Sequence, residues 1–284
     1  MLKKKKQNGI TVPKIIIYTA KGLAFFSRKL TTQFCIRLFT TPTKHKTPKR
    51  EWQMIEKSQR KSLFVPKINK SIEVYHYGDS PKKVLLVHGW SGRGTQLFKI
   101  ADELLKMGYA TISYDAPGHG KSKSSTTLIT DFIACNFELE KQFGPFDYAI
   151  GHSLGGMSLL NSVKRGLQVK KMVTIGAADK IIDILYSFVK QLNLKPEIAE
   201  LMKQQFETNF GEPIHNYDAA GAAKQVAIPT LVIHDQEDYE VPLVCGKTIY
   251  NELPNGTFIE TKELGHRKIL GNDEVIKEII QFLN

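Results

Sequence analysis

The sequence predicts an α/β protein, with a mostly parallel central sheet, helices on both faces and a small helical insertion in its second half. Three observations predict it. Short runs rich in β-branched and aromatic residues alternate with stretches whose apolar residues recur at helical spacing. One of those runs ends in a serine flanked by glycines and leads directly into a small-residue helix. Two later runs are followed, in order, by an acidic cluster and by a glycine-histidine pair.

The elements follow along the chain. Residues 72–77, 84–88, 109–114 and 148–152 read as strands, as do the runs near Met172, Leu231 and Phe258. Between the second and third of these, Leu97, Ile100, Ala101, Leu104 and Leu105 mark a helix with one apolar stripe. Val275, Ile276, Ile279, Ile280 and Leu283 repeat the pattern at the carboxyl end. Residues 179–225 break the strand rhythm with two helical stretches, 180–192 and 196–210, the second opened by a proline suited to a first turn. Their apolar residues Ile181, Leu185, Phe188, Leu201, Met202 and Phe206 are expected mostly to pack helix on helix, and some to line a pocket. A length of 284 residues allows one such domain and an appendage. The expected division is a basic, apolar-rich extension over 1–60 and an α/β domain over 61–284, with the insertion at about 179–225.

Gly151-His152-Ser153-Leu154-Gly155 has the G-x-S-x-G form of a nucleophile elbow. Side chains at the flanking positions would bury the serine hydroxyl, so glycines are needed where strand turns sharply into helix. The elbow requires an acid and then a histidine, each in a loop after a later strand. Asp235-Gln236-Glu237-Asp238 follows the run at 229–234, and Gly265-His266 follows the run at 256–260. Spacing leaves Asp235 and Asp238 as alternative acids.

Taken together these residues resemble the α/β-hydrolase superfamily over most of 72–284. His88-Gly89-Trp90 is similar to its H-G-x oxyanion loop, Asp115 to Ser122 to its D-x-P-G-x-G-x-S loop, and Gly151 to Gly156 to its G-H-S-x-G-G elbow. Asp238-Tyr239-Glu240-Val241-Pro242 resembles its D-x-x-V-P stretch, and Gly265-His266 its terminal G-H. The leader, His88 to Gly94 and Gly265 to Leu270 further resemble a bacterial subgroup of that superfamily.

The resemblance implies a serine hydrolase of carboxylic esters or thioesters acting on a small-molecule acyl substrate without a cofactor. Ser153 would be the nucleophile, His266 the base and Asp238 the acid, with Asp235 left to bond its own loop. An imidazole titrates near neutrality, at about 6.5, and suits the exchange of a proton with serine and leaving group. The backbone N–H groups of Trp90 and Leu154 would hold the oxyanion. His88, Gly89, Gly151, His152 and Gly155 would support these loops. A non-catalytic or acyl-transferring protein on the same scaffold is the alternative.

Other chemistry is excluded by pattern. His88, His119 and His152 lack the tight spacing of a metal site, and no H-E-x-x-H or C-x-x-C occurs. Gly120-Lys121-Ser122 mimics the end of a phosphate loop, but Asp115 stands where that loop needs glycine.

Charge is divided unevenly. The formal net charge is +12, yet residues 1–50 hold 13 Lys or Arg and no Asp or Glu, leaving 27 basic against 28 acidic residues beyond them. The arm opens with Lys3-Lys4-Lys5-Lys6 and interleaves bases with Ile15, Tyr18, Phe25, Phe26, Phe34 and Phe39. An anionic membrane surface is its candidate partner; a solvated tail, or an arm folded onto the domain, is the alternative. A nucleic-acid role through the arm is the weaker alternative: no specific nucleic acid is expected, because no recognition module is present. Lys14, Lys21, Arg28 and Arg37 interrupt every candidate membrane span or signal core. Cys35, Cys135 and Cys245 are odd in number and widely spaced, so the expected location is cytoplasmic, peripheral at the inner membrane face if the arm binds lipid.

Overall fold

The structure, a computed structural model, describes residues 12–284. The lysine run at 3–6 lies outside the described residues. Eight strands form one sheet in the order β1-β2-β4-β3-β5-β6-β7-β8. They are β1 (Gln59–Val65), β2 (Lys70–Tyr77), β3 (Lys83–Val87), β4 (Ala110–Asp115), β5 (Tyr148–His152), β6 (Lys171–Ile175), β7 (Thr230–Asp235) and β8 (Gly256–Thr261). All neighbours from β4 across to β8 pair in parallel, and β1 and β2 add an antiparallel edge.

The described helices are α1 (Lys14–Phe26), α2 (Arg28–Thr40), α3 (Trp52–Lys57), α4 (Phe98–Lys106), α5 (Ile129–Phe143), α6 (Leu154–Lys164), α7 (Ile181–Gln191), α8 (Glu197–Phe210), α9 (Ala219–Ala223), α10 (Leu243–Glu252), α11 (Gly265–Lys268) and α12 (Asp273–Leu283). Strand residues alternate between two apolar layers. Val84, Leu86, Ile150, Val173 and Ile233 join Ile100 and Leu104 of α4 and Ile276 and Ile279 of α12 on one face. Leu85, Val87, Ala149, Met172 and Val232 join Phe132 and Leu139 of α5 and Leu159 and Leu160 of α6 on the other. Both helical stripes read from the sequence therefore cover the same face of the sheet.

The sequence does not predict β1, whose only apolar run is the short Leu63-Phe64-Val65. Its first four residues are exposed because it is an edge strand, paired on one side only, so backbone hydrogen bonding rather than burial defines it. α5 was likewise unread; eight of its fifteen residues are buried, among them Asp131 and Asn136, and this mixture blurs the stripe.

The described residues ahead of β1 fold onto the body. α2 accepts burial through Thr31, Thr32, Cys35 and Thr40, and Phe34, Ile36, Leu38 and Phe39 pack against the larger apolar layer. Ser27, extended at φ −157°, separates α1 from α2, and its hydroxyl accepts from Leu30 N–H to cap the second helix. No described helix is long and apolar enough to cross a membrane.

Candidate active site

β3 and β5 lie side by side where the strand order reverses, and open α/β sheets place ligands beyond the carboxyl ends at such a point. The loops after β3, β4, β5, β7 and β8 all emerge there. Ser153 connects β5 to α6 with φ 53° and ψ −121°, a conformation that costs a non-glycine residue about 1–3 kcal/mol and persists only when surroundings fix it. Two bonds fix it: Ser153 N–H donates to Ile175 O at 2.8 Å, and its carbonyl accepts from Met157 N–H at 3.1 Å. The flanking glycines are required by contact. A Cβ on Gly155 would lie 2.3 Å from Val87 O, and one on Gly151 would lie 2.6 Å from the Gly155 carbonyl carbon.

Leu154 opens α6, so its N–H is among those that no carbonyl of the same helix can reach. Gly89 sits directly against the elbow, where a Cβ would be 2.8 Å from that of Ser153. This brings the His88-Gly89-Trp90 loop beside the serine. His88 is fully buried; its Nδ1–H donates to Gly89 O at 2.7 Å and its Nε2 accepts from Ala116 N–H at 3.0 Å. Burial pushes its pKa down to about 4, so it serves as a neutral brace between two loops.

His119 braces the next turn. Its Nε2 accepts from Ser91 N–H at 3.0 Å while Nδ1–H donates to Pro117 O at 3.1 Å, and burial followed by the neighbouring His88 lowers its pKa to about 3. Asp115 ties the same loops: its carboxylate accepts from Gly94 N–H and Lys121 N–H, each at 2.7 Å, and from Tyr75 Oη–H at 2.9 Å. The D-x-P-G-x-G-x-S stretch is thus a structural clasp around the β3 loop.

The two carboxylates after β7 part company. Asp238 Oδ2 accepts from His266 Nδ1–H at 2.6 Å, and Oδ1 accepts from Glu240 and Val241 N–H at 2.9 and 2.8 Å. Asp235 instead takes Glu237, Leu264 and Gly265 N–H and the Thr261 hydroxyl. Burial alone would raise its pKa; the bonds from Thr261, Gly265, Glu237 and Leu264 outweigh it and hold the carboxyl below the usual range. Asp235 therefore bonds its own loop, as expected, and also shapes the turn that carries His266.

His266 is held once more. Its carbonyl accepts from His152 Nε2–H at 2.9 Å, with the two rings 4.6 Å apart, and burial drives the pKa of His152 well below its ordinary value. Gly176, at φ 60° after β6, leaves room for the pair: a Cβ there would stand 3.2 Å from His266 Nδ1 and 3.3 Å from Asp238 Oδ2. His234, buried on β7, donates Nε2–H to Val241 O at 2.9 Å and lies 3.6 Å from Asp238 Oδ2. The structure thus brings Ser153, Leu154, Gly89, His152, Asp238 and His266 to one end of the sheet.

His119, Gly176 and His234 were not assigned from the sequence. His119 stood within a loop already singled out, and that was its signal. Gly176 and His234 are single residues at strand ends with no pattern around them.

The arm also reaches this end. Phe39 stacks on Trp90 with ring centres 6.2 Å apart, and meets Phe188 of α7 at 5.2 Å and Phe206 of α8 at 6.0 Å. Thr43 N–H donates to Ser91 Oγ at 3.0 Å, and Glu51 grips Arg93 through both oxygens, at 2.6 and 2.9 Å, while accepting from Thr95 Oγ1 at 2.8 Å. Among the described residues there is no cluster of three or more His, Cys, Asp or Glu side chains able to hold a metal ion.

A sheet of this order with a serine elbow after β5 defines the α/β-hydrolase fold, and comparison with known proteins agrees. The profile of the alpha/beta hydrolase fold family matches residues 82–214. No curated protein sequence matches the chain. Among solved structures, an esterase from Exiguobacterium antarcticum superposes with a TM-score of 0.62 at 18% identity, covering 79% of this chain and 99% of its own. A bromoperoxidase from Bacillus anthracis gives 0.62 at 20%, covering 79% and 99%. Est1E from Butyrivibrio proteoclasticus, with ferulic acid bound, gives 0.60 at 16%, covering 78% and 99%. At these identities the likeness establishes the fold. The chain has the α/β-hydrolase fold, and its residues 82–214 match the model of that family.

Proposed function

We propose that the protein is a serine hydrolase that cleaves a carboxylic ester or thioester through an acyl-enzyme intermediate. The observation that carries this reading is the double hold on His266, by Asp238 at Nδ1 and by His152 at its carbonyl, at the same end of the sheet as a serine strained into the elbow conformation. With Nδ1–H committed to Asp238, Nε2 is the basic nitrogen. It takes the Ser153 proton as Oγ attacks the acyl carbon, and the negative charge passes to the carbonyl oxygen. The N–H groups of Trp90 and Leu154 receive that oxyanion; one such donor is worth about 100-fold or more in rate. The protonated His266 then delivers its proton to the departing alcohol or thiol, and water repeats the sequence to free the acid and restore Ser153. Esterases share the fold at low identity, which is consistent with ester chemistry. The three cysteines are buried and unpaired, in keeping with a reducing, cytoplasmic setting.

Hydrolysis of p-nitrophenyl esters from acetate to palmitate tests the reading. Ser153→Ala is expected to abolish turnover, and Asp238→Asn to lower it about 10,000-fold with little change in thermal stability. Asp235→Asn is expected to act the other way, with partial activity and a melting temperature several degrees lower. A carboxylate with a depressed pKa stabilises the fold above its unfolded pKa and loses that contribution as pH falls through the folded value. The stability gap between Asp235→Asn and the parent should therefore close in acid, as read by thermal melts at stepped pH. Full turnover by Asp238→Asn would overturn the acid assignment, and no Ser153-dependent turnover of any ester would overturn the hydrolase reading.

A further inference from the structure

Among the described residues, eleven large apolar side chains are exposed, and five of them fall between residues 15 and 30. Ile15 is 71% exposed, Tyr18 65%, Phe25 84%, Phe26 82% and Leu30 51%. The others are spread along the remaining chain, as on any protein surface. At 100° per residue, positions 15, 18, 22, 25 and 26 of α1 fall within an arc of about 100°. Ile16 and Ala20 lie on the opposite side and pack toward the body. α1 thus has two apolar sides, and the protein covers one.

The uncovered side is edged by positive charge. On the helical wheel Lys14 and Lys21 lie next to Phe25, and Arg28 and Lys29 follow the stripe into α2; all four are exposed. No Asp or Glu occurs anywhere in residues 1–50 to neutralise them. Phe25 and Phe26, the last two residues of α1, meet edge to face with centres 5.1 Å apart. Aromatic rings in the middle and lysines at the margin match the acyl boundary and the anionic headgroups of a bilayer surface. A second copy of the chain is a poorer match, because a two-fold contact would set the same cations against each other. A nucleic acid would leave the apolar centre unsatisfied.

We infer that the Ile15-Tyr18-Phe25-Phe26-Leu30 face of the N-terminal arm docks the protein onto anionic phospholipid surfaces, with Lys14, Lys21, Arg28 and Lys29 contacting headgroups. The face belongs to the same arm that touches the β3 loop through Phe39 and Thr43, so docking sets the site at the lipid boundary. The inference does not depend on the reaction assigned to that site.

Flotation of the full chain with vesicles tests it, comparing phosphatidylcholine alone with phosphatidylcholine containing phosphatidylglycerol. The full chain is expected to float with the anionic vesicles. Binding should fall about tenfold or more on pure phosphatidylcholine, or at about 0.5 M salt where screening acts within ~4 Å. The double variant Phe25→Ser, Phe26→Ser should lose about tenfold or more through lost apolar insertion, and Lys14→Glu with Lys21→Glu should lose preference for phosphatidylglycerol. All four side chains are exposed, so circular dichroism and melting temperature should match the parent. Equal flotation of the parent and the Phe25, Phe26 variant, or no flotation of the parent, would overturn the inference. A parent dimer in sedimentation velocity that dissociates in that variant would assign the face to a second copy instead.

Discussion

The two halves of the N-terminal arm are both basic and have opposite fates. Residues 14–30 and 31–51 both mix Lys or Arg with Ile, Leu and Phe. Yet Phe25 and Phe26 stand in the open while Phe39 is enclosed by Trp90, Phe188 and Phe206. The second half also contributes Thr43 to the Ser91 turn and a Glu51 that is 1% exposed. The difference lies in what each half meets. α2 runs along α8 and the β3 loop, which present aromatic and hydroxyl partners at matching positions, whereas only one side of α1 reaches the body. Composition records how much apolar surface a segment owns, and only packing decides whether the same chain covers it.

The comparison breaks most sharply at Glu51. It is the one acidic residue that closes the arm onto the β3 loop, and Glu51→Ala would leave the Arg93 side chain, only 12% exposed, without its partner. Removing one side of such a pair costs about 3–5 kcal/mol, enough to lower the melting temperature by about 10 °C. A change of less than about 1 kcal/mol in calorimetry or urea unfolding would mean that the arm is docked without being coupled. Phe39→Ala comes next. Loss of a half-buried ring from an aromatic cluster should cost about 2 kcal/mol. It also opens space beside Trp90, so under the proposed ester hydrolysis the preferred ester in a chain-length series should lengthen; an unchanged optimum would mean that the Phe39 ring does not bound the acyl group. The smallest effect belongs to the outer half. Phe25→Ser with Phe26→Ser should leave stability within about 0.5 kcal/mol, since the rings touch chiefly each other and solvent. A larger loss in thermal melts would show that the outer half is also packed in solution.

The site was more legible than the arm because its residues sit in short local patterns. The elbow requires glycines at 151 and 155, and the contacts at 2.6 and 2.3 Å show why no other residue fits. Spacing alone leaves Asp235 and Asp238 as alternatives and the resemblance to D-x-x-V-P picks out Asp238; in the structure Asp238 meets His266 while Asp235 meets backbone N–H groups. What stayed hidden is the bracing. Gly176 faces the His266–Asp238 pair from a strand 62 residues before Asp238 in the chain, and Glu51 grips Arg93 from 42 residues away. β1 stayed hidden for a related reason: its definition is a backbone ladder to β2, which polar residues form as readily as apolar ones.

By itself the sequence determined the alternating elements, the parallel sheet they make, the serine elbow, the order of acid and histidine, and the concentration of charge in the first fifty residues. These are properties of neighbours along the chain, set by side-chain periodicity and by the conformations glycine permits. The tertiary structure decided which carboxylate meets His266, which histidines brace loops as buried neutral rings, and how the arm divides between a packed half and an open one. Those outcomes depend on contacts between segments far apart in sequence, whose free energies arise only when the sheet has brought the segments together.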